Sequence, residues 1–137
     1  MGNLDSTRDW GHARDFVRAM HLMLQQDSPD DYVVASGKEH SVRTFIERSF
    51  ARVGVRIGWK GKGVDEQGVD LDTGRVLVVI DPAHFRPLEG ARLVGDASRA
   101  HARLGWRAET SFDDLVNEMV DHDLELSRGE ADPTTRP

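Results

Sequence analysis

The chain has 137 residues, of which 18 are Lys or Arg and 24 are Asp or Glu, so its formal charge at pH 7 is −6. Cysteine is absent, which excludes a disulfide scaffold, thiol catalysis and thiolate metal sites. The acidic balance argues against general nucleic-acid binding, because there is no basic excess to displace phosphate counterions. No apolar run approaches the roughly 18–20 residues of a membrane span. We therefore expect one globular cytoplasmic domain with no nucleic-acid or membrane partner.

The predicted elements alternate between helices and short strands. A helix over 13–26 comes first, because its apolar residues recur on one face at 3.6 residues per turn. The apolar run 32–35 follows, and its lack of alternation favours a strand buried on both faces, as in a parallel sheet. Ser41 is a suitable N-cap for a helix over 42–53, and Gly54 is a natural residue to end it.

The middle of the chain is predicted to contain two strands and a loop. A short strand is expected over 55–57, and the strongest strand signal lies at 76–80. Between them, residues 58–74 hold five glycines and many charges. That composition predicts a loop.

Two helices are predicted in the last third. Asp96 can cap a helix over 97–104, and Ser111 can cap a longer one over 112–128. Residues 129–137 are predicted to be a disordered tail. The order of helices and strands predicts an α/β or α+β layer pattern with few strands.

No complete catalytic, metal-binding or cofactor motif is present. The six histidines lack metal-ligand spacing. Gly61-Lys62-Gly63 lacks the third glycine and the preceding strong strand of a dinucleotide fingerprint. Tyr32 is followed four residues later by Ser36, so a Tyr-x-x-x-Lys pair is missing. We therefore assign no catalytic, metal-binding or cofactor-binding residue.

Arginines in unusual settings remain as candidates for anion binding. Arg8 precedes Asp9, Arg43 lies in the first turn of the second predicted helix, and Arg86 stands between an aromatic residue and a proline. A planar guanidinium suits phosphate oxygens, and helix N-termini supply N–H groups for anions. For each arginine alone, a surface salt bridge is the simpler explanation. Arg86 is the strongest exception, because its neighbours restrict its backbone.

Blocks of sequence along nearly the whole chain resemble one enzyme family. These blocks are Gly2 to Ala13, Asp31 to Gly37, His40 to Arg43, Gly61 to Val69, Asp81 to Glu89, Gly95 to Trp106 and Ser111 to Leu126. In this order they resemble the C-terminal part of the GDP-mannose 4,6-dehydratases, which are extended short-chain dehydrogenases/reductases. One departure is Gly90, where valine is usual, and a glycine there loosens the backbone beside Glu89.

The resemblance implies an α/β fold of the NAD(P)-binding Rossmann-type superfamily, with few short strands and about four helices. Residues 1–128 would form the nucleotide-sugar-binding lobe. The Rossmann domain, which holds NADP and the catalytic Tyr-x-x-x-Lys pair, would lie before Met1. The family converts GDP-mannose to GDP-4-dehydro-6-deoxy-mannose and water, toward GDP-fucose or GDP-rhamnose.

The resemblance also implies site residues. By this likeness Arg8 and Arg86 contact the diphosphate, and Glu89 accepts a hydrogen bond from a ribose hydroxyl. Three further residues would line the nucleotide site, namely Ser41, Val42 and Arg43. The expected ligand is GDP-mannose.

Three hypotheses stay open for the chain as a whole. It is a piece of an enzyme that acts only with its Rossmann domain, or a standalone nucleotide-sugar-binding or regulatory module, or an inert remnant. Expected protein partners are a separate Rossmann-domain chain or a full-length paralogue, and family members form homo-oligomers. We expect the isolated chain to be inactive, because it carries no groups for hydride storage or proton transfer. We also expect exposed apolar surface where it would pack on the Rossmann domain.

Overall fold

The computed structural model describes residues 1–86 and 94–129 of the chain. Its helices are α1 (Ala13–Leu24), α2 (Val42–Arg52), α3 (Ser98–Leu104) and α4 (Phe112–Ser127). Its strands are β1 (Thr7–Asp9), β2 (Glu39–Ser41), β3 (Ile57–Lys60), β4 (Gln67–Asp70) and β5 (Val76–Val79). The strands form two small antiparallel sheets, β1–β2 and β3–β4–β5.

All four predicted helices are confirmed, with ends within two residues of the expected ones. The Ser41 hydroxyl accepts a hydrogen bond from the Thr44 N–H at 3.1 Å, and the Ser111 hydroxyl accepts one from the Asp114 N–H at 3.1 Å. Gly105 ends α3 with a φ of +63°, a conformation that glycine adopts without steric cost. These ends were predictable because a cap is a contact between residues close in sequence.

The strand predicted over 32–35 is wrong, and so is its parallel pairing. The structure assigns no strand to this segment, and every ladder in the described part of the chain is antiparallel. Tyr32 and Val34 instead pack against the buried cluster of Ala19, Ala100 and Trp106. A run of strand-forming residues becomes a strand only where another strand lies alongside to complete its hydrogen bonds.

The loop predicted over 58–74 is also wrong. β3 and β4 form an antiparallel pair within it, and β5 completes a three-stranded sheet. The strand expected over 55–57 moves to Ile57–Lys60, and the one expected over 76–80 is confirmed as β5. Gly68 explains the error, because a Cβ there would lie 2.7 Å from Ile57 Cδ1 and 3.0 Å from Trp59 Cζ3. The glycine makes room for large neighbours within a strand.

Two buried clusters hold the elements together. Leu4, Ile46 and Ile80 form the first, which joins the N-terminal residues, α2 and the end of β5. Ala19, Ala100 and Trp106 form the second, which joins α1 and α3. No helix in residues 1–86 and 94–129 is long and apolar enough to cross a membrane.

Candidate functional site

The N-terminal segment, which we define as residues 1–9, connects most of the predicted site residues. It begins beside the end of β5, where the Met1 nitrogen donates to the Val79 carbonyl at 3.0 Å and the Asp81 N–H donates to the Met1 carbonyl at 2.8 Å. Leu4 anchors its middle in the first core cluster. Its end is β1, which pairs with β2. One short stretch of chain therefore passes the β5 end, α2 and β2 in turn.

Arg8 lies at the centre of β1, opposite His40 of β2. Its side chain is exposed, whereas Thr7 and Asp9 on either side are partly buried. This alternation is expected, because successive side chains of a strand point to opposite faces. The Arg8 Nη1 donates to the Thr7 carbonyl at 2.7 Å, so the side chain folds back along its own strand.

Arg86 is attached to the same N-terminal segment. It follows the 3₁₀ turn Pro82–His84, and its carbonyl accepts a hydrogen bond from the Asn3 side-chain amide at 3.3 Å. Phe85 packs against the first core cluster, while the Arg86 side chain is exposed. Asn3 and Arg8 are five residues apart, a span of at most roughly 18 Å even when fully extended. The structure therefore attaches both predicted diphosphate-binding residues to the N-terminal segment.

The backbone at the start of α2 is already bonded to the protein. The Val42 N–H donates to the Ser6 carbonyl at 3.0 Å, and the Arg43 N–H donates to the Leu4 carbonyl at 2.8 Å. The Ser41 hydroxyl caps the next N–H, and Val42 packs against the first core cluster. These residues hold the N-terminal segment against α2. Their place in the nucleotide site stays a prediction.

Arg43 lies in a dense ionic network. Its guanidinium donates to both carboxylate oxygens of Glu66, at 2.7 and 3.1 Å, and to Asp5 Oδ1 at 2.9 and 3.1 Å. Its Cζ lies 4.8 Å from the centre of the Trp59 ring. The hydrogen bonds that Arg43 donates to Glu66, together with those it donates to Asp5, outweigh partial burial and raise the pKa of Arg43 above its ordinary value. Arg43 thus joins three parts of the fold, and a ligand would have to share it with two carboxylates.

Glu89, predicted to bind the ribose, lies outside the described residues, as does Gly90.

Asp9 is a central residue to which the sequence reasoning assigned no role. Its carboxylate accepts four hydrogen bonds, from the Ser36 N–H at 2.8 Å, the Ser36 hydroxyl at 2.5 Å, the Gly37 N–H at 2.9 Å and the Gly95 N–H at 3.2 Å. Burial alone would raise the pKa of Asp9, but these hydrogen bonds favour the charged form and lower it overall. Asp9 therefore fixes the strand that carries Arg8. The only sequence signal was its place directly after Arg8.

Asp15 has the same kind of role in α1. It is 4% exposed, and its Oδ2 accepts from the backbone N–H groups of Glu109 and Thr110 at 3.1 and 2.9 Å. Its own carbonyl accepts from the buried Trp106 indole at 2.8 Å. Burial raises the pKa of Asp15, and the hydrogen bonds from Thr110 and Glu109 lower it by more. Asp15 thus ties α1 to the segment before α4.

A cleft of about 400 Å³ opens beside the β1–β2 pair. Trp10, His40 and Phe112 contribute its rings, and the His40 and Phe112 rings stack with centroids 3.8 Å apart. Lys38 and Arg48 bring positive charge, but Arg48 is paired with the Asp113 carboxylate at 3.3 Å. The residues that line this cleft come from distant parts of the chain, so no local sequence pattern predicts it.

The described residues do not fit a dinucleotide cofactor. Gly61 and Gly63 lie between two antiparallel strands, whereas the nucleotide fingerprint connects a strand to a helix whose N-terminus receives the phosphates. No group of three or more His, Asp or Glu side chains in residues 1–86 and 94–129 could hold a metal ion. We therefore derive no step through NADP from this chain.

Comparison with known families decides which family this is. The family model described as GDP-mannose 4,6 dehydratase matches residues 1–119. The chain belongs to this family. A family relative named GDP-mannose 4,6-dehydratase in Sinorhizobium fredii is 54% identical over 94% of this chain and 37% of its own length. The GDP-mannose 4,6 dehydratase of Homo sapiens is 50% identical over 93% of this chain and 34% of its own length. The chain spans about a third of the length of the curated relatives it matches.

Solved structures confirm the predicted fold class. The protein named RMD from Pseudomonas aeruginosa, solved with NADPH, superposes with a TM-score of 0.66 at 22% identity, over 88% of this chain and 34% of that one. A UDP-glucose 4-epimerase from Thermotoga maritima, solved with UDP-glucose, superposes with a TM-score of 0.66 at 16% identity. The match covers 93% of this chain and 34% of the epimerase chain. At such identities the likeness shows the fold alone. In residues 1–86 and 94–129 that fold is an α/β arrangement of four helices and five short strands.

Proposed function

We propose that residues 1–128 are the nucleotide-sugar-binding lobe of a GDP-mannose 4,6-dehydratase. The enzyme would convert GDP-mannose to GDP-4-dehydro-6-deoxy-mannose and water with NADP, in the cytoplasm. Family membership over residues 1–119 is the observation that carries the proposal. The two exposed arginines tied to one N-terminal segment, Arg8 and Arg86, agree with it.

Arg8 and Arg86 would bind the diphosphate of GDP-mannose. Each guanidinium offers a planar set of N–H donors that matches phosphate oxygens, and both side chains are exposed to an arriving ligand. Glu89 would accept a hydrogen bond from a ribose hydroxyl. Ser41, Val42 and Arg43 would border the nucleotide, and Arg43 would also keep its structural network.

The chemistry itself would depend on the rest of a full-length dehydratase. Supporting this, α1 exposes a row of apolar side chains, which we call the α1 stripe: Val17 (61% exposed), Met20 (59%) and Leu24 (82%). These residues are spaced i, i+3 and i+7, so they share one face of the helix. An apolar row of this kind marks an interaction surface. We propose that it packs on the remaining two thirds of such an enzyme, supplied by a separate chain or a full-length paralogue in a homo-oligomer.

Calorimetry with GDP-mannose tests the binding proposal. We expect Arg8→Ala and Arg86→Ala each to weaken binding about tenfold or more, because each removes charge-assisted hydrogen bonds. Arg103→Ala, an exposed arginine of α3, serves as the matched control and should bind like wild type. Equal affinity in all four proteins would remove both arginines from the site.

Activity measurements separate an enzyme piece from a standalone module. The isolated chain with NADP should form no keto sugar from GDP-mannose, and detecting that product would overturn the expectation. Joining this chain to the unmatched part of the Sinorhizobium fredii relative should give an active dehydratase. A chimera that folds and binds GDP-mannose but forms no product would favour a binding or regulatory module.

A further inference from the structure

Gly2 and Asn3 touch the turn that carries Arg86. Gly2 lies so close to it that a Cβ on Gly2 would be 2.6 Å from the His84 carbonyl oxygen. Real Cβ atoms do not approach an oxygen that closely, so only glycine fits there without moving the backbone. The Asn3 side-chain amide donates to the Arg86 carbonyl at 3.3 Å. Gly2 and Asn3 therefore both contact the chain segment from His84 to Arg86.

Asn3 also holds its own segment in shape. Its Oδ1 accepts from the Asp5 N–H at 3.0 Å, which closes a local turn of the Asx kind. The same side chain thus uses its carbonyl on the N-terminal segment and its NH₂ on the Arg86 turn. It links the piece of chain that leads to Arg8 with the piece that presents Arg86.

Neighbouring contacts make this link stiff. The Met1 backbone bonds to Val79 and Asp81 on one side of Gly2 and Asn3. On the other side Leu4 is 2% exposed and shares the first core cluster with Phe85. Because both ends are anchored, a change at Asn3 is transmitted to the turn and is not absorbed by movement of the segment.

We infer that Gly2 and Asn3 are positioning residues that set where Arg86 stands relative to Arg8, and so fix the spacing of the two guanidinium groups for a nucleoside diphosphate. Neither residue needs to touch the ligand. This inference rests on the proposed function only for the identity of the ligand. The hydrogen bond and the close approach define the mechanical link by themselves.

The test uses Asn3→Ser in the 137-residue chain. Serine can still accept from the Asp5 N–H in a similar turn, but it is too short to donate to the Arg86 carbonyl. Asn117→Ser on α4 is the matched control, because Asn117 is the other asparagine of the chain. Gly2→Ala is a second variant that disturbs the same turn by a different route.

The first readout needs no ligand. Amide hydrogen exchange at His84 and Phe85, whose N–H groups bond within the turn, should become about two- to fivefold faster in Asn3→Ser, because one exposed hydrogen bond of 3.3 Å is lost. Gly2→Ala should accelerate the same two amides, and Asn117→Ser should not. Unchanged exchange in both Asn3→Ser and Gly2→Ala would overturn the positioning role, whatever the ligand.

The second readout is a double-mutant cycle in GDP-mannose affinity. Asn3→Ser should weaken binding about three- to tenfold in the wild-type background and less than about twofold when combined with Arg86→Ala, because no guanidinium is then left to position. An equal loss in both backgrounds would show that Asn3 acts independently of Arg86 and would refute the inference. If wild type itself binds no GDP-mannose, the binding proposal for the isolated chain fails, and the exchange data still decide the role of Asn3.

Discussion

Replacing Asp9 by asparagine should lower the stability of the chain in a pH-dependent way. In the structure the two carboxylate oxygens of Asp9 accept hydrogen bonds from Ser36, Gly37 and Gly95. The asparagine side chain of Asp9→Asn would keep one acceptor oxygen and turn an NH₂ group toward donors that previously met an oxygen. Two of the four hydrogen bonds would be lost, and the other two would no longer have a charged acceptor.

The size of the effect follows from those losses. A lost hydrogen bond to a partly buried group costs about 1–1.5 kcal/mol, so Asp9→Asn should lower the free energy of unfolding at pH 7 by about 3 kcal/mol. That is a large part of the total stability of a small domain, which is about 5–15 kcal/mol. Asp123→Asn, which alters an exposed carboxylate on α4, should change the free energy of unfolding by less than about 0.5 kcal/mol.

The pH dependence has a definite sign. The folded-state pKa of Asp9 is lowered, so its contribution is fully present above the unfolded-state value near pH 4 and is lost as the pH falls through the folded-state pKa. A protonated Asp9 offers one good acceptor oxygen, as asparagine does. The difference between wild type and Asp9→Asn should therefore shrink as the pH falls below about 4.

Urea unfolding followed by tryptophan fluorescence measures this difference, because the chain has three tryptophans. Curves at pH 7 and at several values between about pH 4 and pH 3 should show the two proteins converging in midpoint. The reasoning would be refuted by a destabilisation at pH 7 no larger than that of Asp123→Asn. A gap that stays constant across the pH range would also refute it.

Three further perturbations probe other parts of the molecule. Arg43→Ala should lower the free energy of unfolding by about 2–3 kcal/mol in urea titration, because it removes the guanidinium that two carboxylates share. Arg43→Lys should restore less than half of that free energy, because an ammonium group cannot reproduce the planar hydrogen bonds. Full restoration would show that the charge alone matters. Asp15→Ala should lower the free energy of unfolding by about 3 kcal/mol, because two backbone N–H groups lose their acceptor. A decrease under about 1 kcal/mol would mean that water replaces the carboxylate as acceptor. Met20→Gln combined with Leu24→Gln should reduce the binding of a hydrophobic fluorescent dye without lowering the unfolding midpoint, and unchanged dye binding would place the apolar surface elsewhere.

Helix positions could be predicted because their causes are local. Ser41 and Ser111 cap helices through N–H groups three residues away, and Gly105 ends α3 by its own backbone conformation. The family could also be predicted, because its sequence blocks recur in order along the chain. The strands were predicted less well. Gly68, which suggested a loop, lies buried in a sheet where a side chain would meet two large neighbours.

In the candidate site, too, some residues could be predicted from their neighbours in sequence and others could not. Arg8 and Arg86 could be selected from their immediate neighbours, and the structure ties both to one segment of chain. The partners of Arg43 could not be predicted, because Asp5 and Glu66 lie 38 and 23 residues away in sequence. The roles of Asp9 and Asp15 were equally hidden, since their donors lie up to 86 and 95 residues away.

The amino-acid sequence by itself determined the helices and the family, because periodicity, capping and short motifs are properties of neighbouring residues. Only the tertiary structure decided which charged groups pair with residues far away in the sequence. Contacts between distant residues depend on how the core packs the chain, and the local sequence around each residue does not predict them. Arg43 and Asp9 were thereby placed in internal networks, while Arg8 and Arg86 keep exposed side chains.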